Sequence, residues 1–123
     1  MSQMFYGCSS LKELNLNNFN TNNVINMSCM SCGCSSLKEL NFNNFNTNNV
    51  TNMGVMFYDC SSLKALNFNN FNTNNVTYMR DMFYVCVWIG PHIFSELIRI
   101  NFFKRALTTS FFNVPSSLSC FSQ

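Results

Sequence analysis

Seven cysteines in 123 residues are the side chains best suited to chemistry, because a thiolate is both a nucleophile and a soft metal ligand. Cys29, Cys32 and Cys34 follow a C-x2-C-x-C spacing, of the kind that opens a zinc site or a dithiol redox centre. A tetrahedral site needs a fourth ligand, and the single histidine, His92, stands far along the chain beside Pro91. Cys32 also fills a column held elsewhere by Tyr6, Tyr58 and Tyr84, so drift within a repeat accounts for it. Cys8, Cys34, Cys60 and Cys86 recur at a fixed step of 26 residues. In that setting a free cysteine acts as a small buried hydrophobe, with disulfide pairing as the alternative.

Other chemistry finds less support. A hydrolytic triad needs a base and an orienting carboxylate that converge, and nothing in the sequence brings Asp59 or Asp81 to His92. The four glycines are not clustered into a phosphate loop, and the few carboxylates are scattered, against paired acid–base work or a calcium cage. We therefore expect no enzyme, no cofactor and no resident metal. A formal charge of +2 with only 10% charged residues is too little to neutralise a phosphate backbone, which argues against nucleic acid as a partner. The local excess of Arg99, Lys104 and Arg105 over Glu96 reads as a solvated face. Asn26-Met27-Ser28, Asn49-Val50-Thr51 and Asn75-Val76-Thr77 satisfy the N-glycosylation rule, which matters only in a eukaryotic secretory pathway.

The elements that must position these residues come from the repeat. At 26-residue steps Leu11/Leu37/Leu63, Leu14/Leu40/Leu66, Phe19/Phe45/Phe71, Val24/Val50/Val76, Met27/Met53/Met79 and Met30/Met56/Met82 align, the signature of a stacked array. Within a unit, Leu14 and Leu16 alternate around Asn15, the two-residue period of a strand at about 11–17. Val24, Met27, Met30 and Cys34 are spaced by three and four, the period of a helical stripe at about 22–31, with Thr21 or Asn22 placed to cap its first turn. The expected fold is an α/β solenoid, short parallel strands alternating with short helices or helical turns. A helix-free β-solenoid would carry the same outward positions. Asn-rich corners join the two arcs, and some of Asn18/Asn44/Asn70 and Asn20/Asn46/Asn72 are expected to be buried and fully paired.

The repeats span residues 1–86. Met1 stands in the column of Met27, so the chain opens in the middle of a unit. Residues 87–123 form an irregular tail in which 95–102 regains the repeat phase, a degenerate fourth unit or cap with a strand at 97–102; stray sequence is the other reading. Met1-Ser2-Gln3 does not open a signal peptide, and the apolar stretch from Met82 to Phe94, about 13 residues, is too short to span a bilayer. An open strand edge at a repeat end invites end-to-end or edge self-association.

Binding is the function that this pattern leaves. Lys12/Lys38/Lys64, Glu13/Glu39/Ala65 and Asn15/Asn41/Asn67 fall on the outward side of the strands. They form a ladder of rungs at strand spacing, suited to an extended protein segment or glycan. Leu37, Leu40, Phe42, Phe45, Thr47, Val50, Met53, Met56, Phe57 and Cys60, with the same columns in neighbouring units, resemble the BspA-like leucine-rich repeat surface proteins, long known as a domain of unknown function in mycoplasma lipoproteins. The resemblance implies a leucine-rich-repeat solenoid, a cell-surface or secreted setting, adhesion to an extracellular protein or glycan, and no catalytic residues. Ser31 departs from it, standing where Phe5, Phe57 and Phe83 mark the column. A repeat fragment with a purely structural role and no binding activity is the competing reading.

Overall fold

The structure, a computed structural model, describes residues 1–86. The strand expected at 97–102, the tail or cap of residues 87–123, and His92 lie outside the described residues.

The 26-residue period becomes one coil of chain laid on the next. Two parallel strands, β1 (Glu39–Asn41) and β2 (Ala65–Asn67), pair in register as Glu39 with Ala65, Leu40 with Leu66 and Asn41 with Asn67. A second ladder on the other side of the coil runs through isolated parallel bridges from Asn26 to Asn52 and from Asn52 to Tyr78. Among the described residues, the strand expected in every unit forms in the second and third coils only. In the first, the Lys38 N–H reaches the Lys12 carbonyl at 3.5 Å, against 2.8 Å for Lys64 to Lys38, too long to hold a strand well.

The helices are absent, which overturns the alternating strand and helix solenoid: among the described residues no helix forms. Where the helical stripe was expected, the chain makes successive tight turns, with Met30 donating to Met27, Cys32 to Cys29 and Cys34 to Ser31. The intervening amides leave the coil altogether. Met27, Cys29, Ser31 and Gly33 donate to the carbonyls of Asn52, Gly54, Met56 and Tyr58 one coil on, at 2.8–3.0 Å. An α-helix would consume every one of these donors internally. It is also barred by the backbone, because left-handed residues recur every fourth position: Cys29 and Gly33 (φ +52° and +77°), Val55 and Asp59 (+50° and +56°), Asp81 and Val85 (+54° and +62°). Such residues end a right-handed turn and do not continue it. Spacings of three and four put side chains on one side in both geometries, so the interior columns are kept while the helix is lost.

Between the two ladders lies the core, with Met27, Met53, Phe42, Phe57, Phe68 and Cys60 fully buried. Equivalent rings stack along the coil axis, Phe42 on Phe68 at 6.0 Å and 2°, Phe57 on Phe83 at 5.4 Å and 15°. Phe45 and Phe71 meet Phe42 edge-on at 5.0 and 5.1 Å, the arrangement that ring quadrupoles favour. Leu11, Leu14, Phe19 and Val24 of the first coil are only partly buried, whereas Leu37, Leu40, Phe45 and Val50 are buried.

The asparagines do not enter the core. Asn18, Asn20, Asn44 and Asn70 are exposed and Asn46 and Asn72 half-buried, which corrects the expectation that some are buried. Several are nevertheless bonded across coils: Asn44 and Asn70 donate to the carbonyls of Asn17 and Asn43, and Asn46 and Asn72 to the side-chain oxygens of Asn22 and Asn48 at 3.0 and 2.9 Å. The buried polar side chains at this corner are threonines. Thr47, 1% exposed, accepts from the Asn72 N–H (2.7 Å) and donates to the Asn72 carbonyl (3.0 Å). Thr21 accepts from the Asn46 N–H, so its hydroxyl ties two coils together where a helix cap was expected.

Candidate functional site: a groove over the strand arc

The alternation of exposed Glu39, buried Leu40 and exposed Asn41 sends leucines inward and polar side chains outward, as the two-residue period requires. Across three coils this arc forms an open groove of about 410 Å³. Glu13, Glu39 and Ala65 contribute one row of its lining and Asn15, Asn41 and Asn67 another, with Leu14, Leu40 and Leu66 beneath. The structure thus brings Glu13, Asn15, Glu39, Asn41 and Asn67 to one surface. Lys12, Lys38 and Lys64 are exposed but are not among the residues lining the groove. Ala65, Leu16 and Asn17 do line it. Ala65 was legible as the residue occupying the glutamate column of the third unit, where a short side chain leaves room.

The asparagine rungs have a structural duty as well. The side-chain oxygens of Asn15, Asn41 and Asn67 accept the N–H groups of Asn17, Asn43 and Asn69, each at 2.9 Å. These Asx turns bend the chain out of the strand. The charges are differently placed. Among the described residues the one ion pair joins Arg80 and Asp81 at 3.3 Å, so Glu13, Glu39 and the three lysines are not spent on each other.

The cysteine column is an internal device. The Cys34, Cys60 and Cys86 thiols donate to the carbonyls of Phe5, Ser31 and Phe57 in the preceding coil, at 3.1, 3.1 and 2.9 Å. Burial pushes the Cys34 thiol up to about 11 and the Cys86 thiol to about 12. Cys60 is raised too, by burial first and then by the neighbouring thiols of Cys86 and Cys34. Such groups stay protonated and unreactive near neutral pH. Cys8, Cys29, Cys32, Cys34, Cys60 and Cys86 are all free. Among the described residues no three His, Cys, Asp or Glu side chains come together in a way that could hold a metal ion.

The sequon asparagines are engaged in the stack. Asn49 and Asn75 donate through the amide nitrogen to the carbonyls of Asn22 and Asn48 at 2.8 and 2.6 Å, and Asn26 accepts from the Ser28 N–H. Glycan attachment at Asn49 or Asn75 would use the nitrogen that makes the inter-coil bond. No described helix is long and apolar enough to cross a membrane.

No curated protein and no solved structure matches the chain. A family model does, over residues 1–94, and the columns that it spans are those whose stacking builds the groove: the chain belongs to the Mycoplasma protein family of unknown function DUF285.

Proposed function

We propose that the protein is a non-catalytic binding module of the cell surface, in keeping with the likeness of its repeats to BspA-like surface proteins, and that it holds an extended protein segment or glycan along the strand-arc groove. The observation that carries this reading is the groove itself: the amides of Asn41 and Asn67 stand in register on consecutive coils, with Glu13, Asn15 and Glu39 lining the same surface. Such a surface offers a near-identical contact at each step of about 4.8 Å, which suits a partner that is itself extended. The carboxylates of Glu13 and Glu39 give way to Ala65 in the third coil, so the groove is acidic at one end and less so at the other.

Ala65→Arg tests the reading. Ala65 is exposed on β2, so the long side chain obstructs the groove without entering the core. Binding of the intact chain to a panel of immobilised cell-surface polysaccharides and extended peptides is measured by interferometry. At least one probe is expected to bind, with the variant at least tenfold weaker and its melting temperature unchanged. Equal affinity of both forms, or no binding to any probe, would return the molecule to a purely structural role.

A further inference from the structure

The C-x-x-C pair in the second coil has no part in the groove or in the buried thiol column. Cys29 and Cys32 occupy the two ends of one tight turn, closed by the Cys32 N–H donating to the Cys29 carbonyl at 3.2 Å. A closed four-residue turn holds its end Cα atoms within about 7 Å, and a disulfide requires about 4.4–6.8 Å. Both residues are half-exposed, whereas Cys34, Cys60 and Cys86 are buried.

The turn is also held in place from outside. Cys29 donates to the Gly54 carbonyl at 3.0 Å and Gly33 to that of Tyr58 at 2.8 Å, so the two sulfurs are presented by a fixed backbone. The same turn recurs in each described coil, with Gln3 and Tyr6, Val55 and Tyr58, and Asp81 and Tyr84 at its ends. Among these, only the second coil carries a thiol at both.

We propose that Cys29 and Cys32 are a reversible dithiol–disulfide site that reacts with low-molecular-weight disulfides. In the first step the Cys29 thiolate attacks one sulfur of the small disulfide, forming a mixed disulfide and releasing one small thiolate. In the second, Cys32 gives up its proton and attacks the Cys29 sulfur, closing the Cys29–Cys32 bond and releasing the other small thiolate. The protein loses two electrons and two protons, and the oxidant becomes two thiols. The order follows from the surroundings: burial, and then the neighbouring Cys29, hold Cys32 in its protonated form, which suits the resolving role. Because the bond closes a loop of only four residues, it changes the redox state of the surface more than the stability of the stack.

The test incubates the intact folded chain with oxidised glutathione, well below its melting temperature, followed by acid quench, alkylation and fragment mass spectrometry. The expected product is a monomer lighter by two hydrogens, linked Cys29 to Cys32, returned to the dithiol by dithiothreitol. Cys32→Ser should stop at a glutathione adduct on Cys29, and Cys29→Ser should form its adduct at least tenfold more slowly. Cys32→Tyr restores the residue that the other coils carry at this position; it should keep the melting temperature and lose the disulfide. Full alkylation of both cysteines after incubation overturns the proposal, as does a link that maps to Cys8 and Cys34, to Cys34 with either member of the pair, or between chains.

Discussion

The two arcs of each coil solve the same problem with different densities of bonding. On the turn arc, Met27, Cys29, Ser31 and Gly33 each send an N–H to the next coil, and Met53, Val55, Phe57 and Asp59 repeat the pattern. The cysteine column adds a thiol bond at every step. On the strand arc the paired stretch is three residues long, and its outward side is left as a groove. The difference teaches that the backbone bonding of the stack lies mainly on one arc, so outward side chains on the other can change at little cost to the fold.

The comparison breaks most readily in the core behind the turn arc. Phe57→Ala removes a fully buried ring in contact with Phe42, Phe68 and Phe83, and should cost about 3–5 kcal/mol in urea unfolding; a loss below 1 kcal/mol would show that the turn arc does not hold the stack. The thiol column sharpens the comparison through pH. The folded thiols titrate above their ordinary value of 9.0, so their contribution is complete below about pH 9 and is lost as pH rises through the folded values. Above pH 9 each thiol should lower the stability of the fold as pH rises towards its folded value. Cys60→Ala should flatten that slope by about a third, and a urea midpoint that does not move from pH 8 to 10 would contradict the column's role.

Smaller effects test the junctions of the arcs. Thr47→Val leaves both the N–H and the carbonyl of Asn72 without the hydroxyl that serves them, and about 1–3 kcal/mol should be lost; an unchanged midpoint would mean that water substitutes for it. Val55→Gly works in the opposite direction. A β-branched residue at φ +50° is strained on the turn arc, and glycine there should raise stability by about 0.5–1 kcal/mol after its own entropic cost. A fall in melting temperature would show that the Val55 side chain contributes more by contact than its backbone costs.

Much of this arrangement was legible in particular residues. Leu14 and Leu16 around Asn15 announced the strand arc and its outward rungs, and the apolar columns named the core. The helix was misread because Val24, Met27, Met30 and Cys34 are spaced alike on a helix and on successive turns. Signals against the helix were present: Gly7, Gly33 and Asp59 share one column and Gln3, Cys29, Val55 and Asp81 the other, and every one of these residues has positive φ. Val55 and Val85 obscured them, since valine rarely adopts that conformation. The asparagines were expected inside on the strength of their two-sided hydrogen bonding, but an exposed amide can bridge coils equally well. Thr47, with a small apolar body and one hydroxyl, is what the interior accepts.

The sequence by itself determined the period and the inward columns, because a residue repeated every 26 positions meets its own equivalent whatever the path between them. It also determined that the outward rungs fall in register. Only the tertiary structure decided where the backbone amides of the turn arc go. Met27 and Cys29 could donate within their own turn or to Asn52 and Gly54, and no local pattern distinguishes a partner three or four residues back from one about 25 residues ahead. The stacked neighbour made that choice, and with it removed the helix and placed two cysteines at the ends of one fixed turn.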